Sequence, residues 1–196
     1  MRALAIAVLC GLLGGCAFSE VTVDVNYKPG TAVPIADAGP VRLAVADGRT
    51  EDRMRISTKM NGYGNEGGAV RSSRGVTDLV QDALSVEMKA HGLDMISSGI
   101  PVSVVVRRFY CQYHTTEAVG EVVLDVSVQD ANAKTVYAQT YSGTAKMPVV
   151  LFNGSNAADT VAAALQDAIG KMFGDTQFVA ALSNKRTASL PQAYHN

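Results

Sequence analysis

Between residues 102 and 144 the chain reads as three β-strands in succession, joined by nothing but turns. Residues 102–113 are rich in β-branched and aromatic side chains. Residues 121–129 alternate cleanly, with Val122, Leu124, Val126 and Val128 on one side and Val123, Asp125, Ser127 and Gln129 on the other. Residues 130–134 have the length of a hairpin connection, and 135–144 return as the partner strand. Period-two alternation sends neighbouring side chains to opposite faces, so strands joined this tightly form an antiparallel meander with one apolar face to cover. The other face is expected to carry Tyr137, Gln139 and Tyr141 beside Asp125 and Ser127.

Two helical stripes are available as cover. In the first, Val76, Leu79, Val80, Ala83, Leu84 and Met88 recur at spacings of three and four. Ser73 is its expected N-cap; His91 closes the last turn and Gly92 supplies the left-handed residue beyond it. In the second, Val161, Leu165, Ala168, Ile169 and Met172 form the stripe. Asn156 and Asp159 mark its start, Gly174 its end, and Asp175 caps a further short helix through Phe178, Val179 and Leu182. Residues 41–46 are a strand ending in the turn signal Asp47-Gly48-Arg49. The expectation is an α+β domain in the order β-α-β-β-β-α, an antiparallel sheet with two main helices on one face.

Upstream, residues 21–25 alternate like a strand, and Pro29, Gly30, Pro34, Gly39 and Pro40 then deny a regular ladder. Residues 26–40 therefore read as a spacer or an extended crossing segment. Residues 49–75 are long for a loop, which points to function or to a concealed hairpin with arms at 56–60 and 69–71.

The N-terminus carries one basic residue, Arg2, an apolar run from Ala3 to Leu13, and then Gly14-Gly15-Cys16. The run is too short for a permanent span, which needs about 20 apolar residues. It has the layout of an export signal with small residues before the cleavage point. Leu13-Gly14-Gly15-Cys16 resembles the bacterial lipobox. That resemblance implies cleavage before Cys16, its acylation and a lipid tether; an ordinary secretory signal with an incidental cysteine is the other reading. The division that follows is a signal peptide at 1–15, a lipidated N-terminus and tether at 16–40, a periplasmic domain at 41–184 and a flexible tail at 185–196.

Three cysteines and a net charge of −1 narrow the classes further. Cys10 leaves with the signal and Cys16 is the lipid site, so Cys111 alone cannot form an internal disulfide. Balanced charge argues against nucleic acid as a partner.

The order of motifs resembles the YajG-type lipoproteins of Gram-negative bacteria. It runs from the lipobox and the strand entering Asp47-Gly48-Arg49-Thr50 to Ser73-Arg74 opening a helix that closes in Ala90-His91-Gly92. It continues through the Ala158–Val161 helix start and the Asp175-Thr176 step. The resemblance implies an outer-membrane lipoprotein of mixed α/β fold and carries no catalytic residues.

Chemistry-bearing patterns are sparse. Gly62-Tyr63-Gly64-Asn65-Glu66-Gly67 fits G-x-G-x-x-G, but a dinucleotide loop needs a strand directly before it and a helix directly after. Cys111 and His114, three apart on a strand, point to opposite faces and cannot form a nucleophile–base pair. No spacing suits a metal. We therefore expect no catalysis, no cofactor and no metal. Two surfaces remain for a partner. Arg49, Arg53, Arg55 and Lys59 gather near the glycine loop, either as a solvated loop or as a patch for anionic headgroups or an acidic glycan. Tyr137 and Tyr141 form either a protein interface or ordinary cross-strand pairs on a wet face. The leading expectation is a lipid-anchored adaptor for a periplasmic protein. An accessory protein of lipid or glycan transport, holding its ligand between helices and sheet, is the alternative. Ala17 stands where an Asp would retain an enteric-type lipoprotein in the inner membrane, which implies the outer membrane.

Overall fold

The computed structural model describes residues 19–50, 52–60, 65–114, 116–150 and 153–183. The lipobox, residues 61–64 of the glycine loop and the tail from 184 lie outside them. The order is β1 (Val21–Val23), β2 (Val41–Asp47), β3 (Arg55–Met60), β4 (Glu66–Ser72), α1 (Val76–Ala90), β5 (Ile100–Tyr113), β6 (Glu117–Gln129), β7 (Thr135–Pro148), α2 (Gly154–Gly174) and α3 (Thr176–Ala181).

β5 organises the sheet. On one side it pairs antiparallel with β6, which pairs antiparallel with β7, giving the expected meander. On the other side its first half pairs with β2, Val41 opposite Ile100 through Asp47 opposite Val106, and further along Ser57 of β3 stands opposite Cys111. Both pairings are parallel, as is β1 with β4. The sheet is thus mixed, which corrects the antiparallel expectation. The physical reason is α1: a strand, a crossing helix and a second strand return the chain in its original direction, which a tight turn cannot do. The concealed hairpin is present as β3 and β4, which pair antiparallel.

The helices pack on one face of the sheet. Val76, Leu79, Val80, Ala83, Leu84 and Met88 of α1 are buried, as are Val161, Leu165, Ala168, Ile169 and Met172 of α2. α2 rests on β6 and β7, and α3 on β7. Both helix starts differ from expectation. Gly75 is the N-cap of α1, while the Ser73 hydroxyl donates to Asp24 (2.5 Å) and its N–H bonds Val23 O. α2 starts at Gly154, with the Asn153 side chain accepting from Asn156 N (2.9 Å).

Residues 26–40 are a crossing segment, not a spacer, and the chain is already part of the fold before them. Val21 stands opposite Val70, Val25 is 8% exposed, Ile35 N–H donates to His91 O (2.9 Å), and Gly39 N–H donates to Leu182 O (3.1 Å). The Pro and Gly residues that deny a ladder leave an extended strap whose polar groups bond to helix ends instead.

Candidate functional site

Under this strap the structure hollows out in a cleft of about 450 Å³, lined by residues 30–36 of the strap, Glu87 and His91 of the α1 end, and Gln166, Ile169, Gly170, Phe173 and Gly174 of α2. Val179 of α3 completes it. Its most unusual occupant is Glu87, a carboxylate only 4% exposed on the apolar stripe of α1. Its Oε1 accepts from the Tyr27 hydroxyl (2.5 Å) and from Gly30 N–H (2.8 Å). Burial and this carboxylate push the Tyr27 phenol well above its usual range, so Tyr27 stays protonated and donating. His91, 9% exposed, stacks on Phe173 with ring centroids 4.0 Å apart and planes 8° apart. Its Nδ1 lies 2.7 Å from Val33 O, and since a carbonyl only accepts, Nδ1 is the donor. The strap is thereby fixed at Tyr27 and Gly30, at Val33 and Ile35, and at Gly39.

None of Glu87, Tyr27 and the strap was a candidate from sequence, although one signal was there. Glu87 follows Ala83 by four and Leu84 by three, placing a charge on the buried face of an otherwise apolar stripe. A charge at such a position needs partners, and only the tertiary fold supplies them.

The sequence-derived candidates are placed differently. Arg49 is not on the surface. Its side chain is 1% exposed, bidentate to Asp47 and hydrogen-bonded to the carbonyls of Arg53 and Arg55, which fastens the excursion between β2 and β3. This guanidinium holds the Asp47 carboxyl below the usual carboxylate range. Arg55 donates to Thr58 Oγ1 (2.5 Å), and Lys59 Nζ to Ser19 O (2.8 Å). Arg53 is exposed, and its carbonyl accepts from Val76 N as well as Arg49. Nearby Arg71 pairs with Glu20 and Asp52, so much of the basic charge around the hairpin is matched within the fold.

Tyr137 and Tyr141 lie on the helix-covered face, which corrects the expectation of an open one. Gln129 stands opposite Thr135, but Val128 stands opposite Tyr137, so one extra residue enters β7 at its start. Such a bulge flips the side of every later residue. Both hydroxyls donate to Asp175 Oδ2 (2.7 and 2.8 Å), while Asp175 Oδ1 accepts from Gln177 N and Phe178 N to cap α3. These two bonds hold the Asp175 carboxyl below its usual range. The open face instead carries Asp125 and Ser127 beside Thr140 and Ala138. There Asp125 accepts from Arg107 Nε and Thr140 Oγ1, both at 2.6 Å.

Cys111 is fully buried, burial pushes its thiol up to about 11, and His114 is exposed on the other face. The described part of the G-x-G-x-x-G stretch runs into β4, a strand, where a dinucleotide loop needs a helix.

A family model described as uncharacterized lipoprotein matches residues 28–183. Among solved structures, the chain is similar to a Xanthomonas campestris protein of the DUF330 family, at 17% identity over 87% of this chain and 100% of that one, with a TM-score of 0.62. It also matches a Helicobacter pylori homolog of neuraminyllactose-binding hemagglutinin, at 7% identity over 81% of this chain and 97% of that one, with a TM-score of 0.37. No curated protein matches it. The first likeness bears on the fold alone.

Proposed function

We propose, from the premise that the chain belongs to the uncharacterized lipoprotein family whose model it matches, that it is moored by lipid on Cys16 and binds a periplasmic partner without catalysis. Family membership associates it with the cell envelope, as its YajG-type resemblance implies. Among the described residues no helix is long and apolar enough to cross a membrane. A lipid on Cys16, cleaved from residues 1–15, supplies the attachment in this reading. From Cys16 to Ser19 the chain reaches at most about 11 Å, at about 3.6 Å per residue. The domain then rides against the bilayer and not on a long tether, and the absence of Asp after Cys16 directs it to the outer membrane.

The observation that carries the binding role is the cleft. Away from it, among the described residues, the meeting of helix and sheet is closely packed: Val122, Leu124, Val126 and Leu165 are each at most 2% exposed. That packing favours an adaptor over a carrier holding a lipid tail or glycan between the layers. The cleft is also where a carboxylate is buried, an arrangement suited to recognising a ligand.

The mooring is tested by intact mass and N-terminal analysis of the chain extracted from membranes of a Gram-negative host. The expected product starts at Cys16 and carries diacylglycerol, and Cys16→Ala is expected to leave the membrane fraction. A product beginning at Met1, or one starting at Cys16 without lipid, contradicts the reading.

A further inference from the structure

Glu87 has more to offer a ligand than the protein takes from it. Both hydrogen bonds that the described residues give its carboxylate end on Oε1, and the group lines the cleft. A carboxylate so far from bulk water is stabilised by further donors, and most by a positive one. The surroundings point the same way. α1 ends at Ala90 and α2 at Gly174, and both final turns border the cleft, so two helix C-termini turn their negative ends towards it. Among the described residues no Lys or Arg lines the cleft, and the other titratable group there, His91, is engaged with Val33 O and Phe173. Beyond Glu87 the lining is apolar, through Ile35, Ile169, Phe173 and Val179.

From this geometry we infer that the cleft receives a primary alkylammonium group, as carried by a lysine side chain or a free amine, with its nitrogen on Glu87 and its methylene arm along Ile35, Ile169 and Phe173. This deepens the preceding reading and rests on the cleft being the binding surface. An anion is repelled by Glu87 and by both helix ends. A wholly apolar guest strips water from the carboxylate without replacing it, which costs free energy. An alkylammonium satisfies both halves of the cleft: three N–H donors reach the carboxylate, and the arm covers the apolar wall.

The test compares n-butylammonium, n-butanol and butyrate as probes of the full chain in nonionic detergent, read by NMR at residues 30–36 and 166–174. n-Butylammonium is expected to bind about tenfold more tightly than n-butanol, since a charge-assisted bond replaces a neutral one, and butyrate is expected not to bind. In Glu87→Gln the amine should lose its advantage while the alcohol still binds. Gly170→Leu offers a second variant that leaves Glu87 untouched: Gly170 lines the cleft and a Cβ added there meets nothing within 4 Å, so the larger side chain is expected to occupy the cleft and block both probes. Nα-acetyl-lysine methylamide distinguishes the sources, binding more tightly than n-butylammonium if the natural amine belongs to a peptide and less tightly if it is free. Equal binding of amine and alcohol, or an amine preference that survives Glu87→Gln, overturns the ammonium inference and leaves the cleft as an apolar binding surface. Absence of any response to all probes overturns the binding surface as well.

Discussion

The seam between α2 and strands β6 and β7 and the cleft at the ends of α1 and α2 are built in opposite ways. At the seam backbone meets backbone. A Cβ added at Gly143 would lie 2.0 Å from Ala164 O and 2.4 Å from Ala168 N, and one at Gly120 would lie 2.6 Å from Thr160 O. Facing them, α2 presents Ala157, Thr160, Ala164 and Ala168, all buried, so the helix settles into a groove that two glycines cut in the sheet. At the cleft the same helix, one turn further on, meets no such groove. Gly170 has open space around it, and the strap is held by hydrogen bonds to Glu87 and His91, whose ring stacks on Phe173 of α2. Apolar contact without gaps fixes the first region, while a small number of directed polar contacts frames the second. On the proposed reading the seam supplies rigidity and the cleft recognition.

Breaking the seam should have the largest effect. Gly143→Ala forces a methyl group into the backbone of α2, and we expect more than about 3 kcal/mol of lost stability, at the upper end of overpacking costs, or failure to fold. Urea denaturation measures it, and a loss below about 1 kcal/mol would mean the helix can lift off without penalty. Next comes the frame of the cleft. Glu87→Ala leaves the Tyr27 hydroxyl and Gly30 N–H without their acceptor and should cost about 2 kcal/mol, with Glu87→Gln costing less because an oxygen remains. If Glu87→Ala proved neutral, the carboxylate would not be holding the strap.

A pH dependence follows from the carboxylates beside these regions. Asp47, held by Arg49, and Asp175, held by the Tyr137 and Tyr141 hydroxyls, both have folded values below the usual 3.8. A lowered folded value means that the unfolded chain binds the proton first. The stability these two groups contribute is therefore present above about pH 4 and is lost as pH falls towards their folded values. Asp175→Asn should flatten the acid limb of a stability-against-pH curve, and an unchanged limb would exclude Asp175 as a contributor. The smallest effect is expected at Gly170. Gly170→Ala should raise stability by about 0.5–1 kcal/mol, the ordinary gain of Ala over Gly inside a helix. Opposite signs at Gly143 and Gly170 are what the comparison requires.

The same comparison explains which parts of the fold the sequence exposed. Both apolar stripes were legible because burial follows the helical period, and every position assigned to them is buried. Strand ends were less so. β6 begins at Glu117 and β7 runs to Pro148, four residues beyond expectation in each case, with Glu117 paired to Pro148. Gly120 and Gly143 interrupt the β-rich pattern there because α2 comes too close for any side chain. The sides of Tyr137 and Tyr141 were hidden by a single inserted residue after Gln129, since alternation gives parity only while the ladder is unbroken. Strand direction was misjudged even though the strand–helix–strand order around α1 held the information. The cleft was the least legible. Its parts come from residues 27–36, 87–91, 166–174 and 179, and no local pattern joins a proline-rich strap to the ends of two helices.

The most direct test of the claim that the cleft is the working surface is cross-linking in living cells. A benzoylphenylalanine is placed at Gln166, exposed at the rim of the cleft, in one strain and at Thr140 on the open sheet face in another. The account predicts a discrete adduct from Gln166, weakened by Glu87→Gln, and none from Thr140. Adducts from Thr140 alone, or equal adducts from both positions, would contradict it.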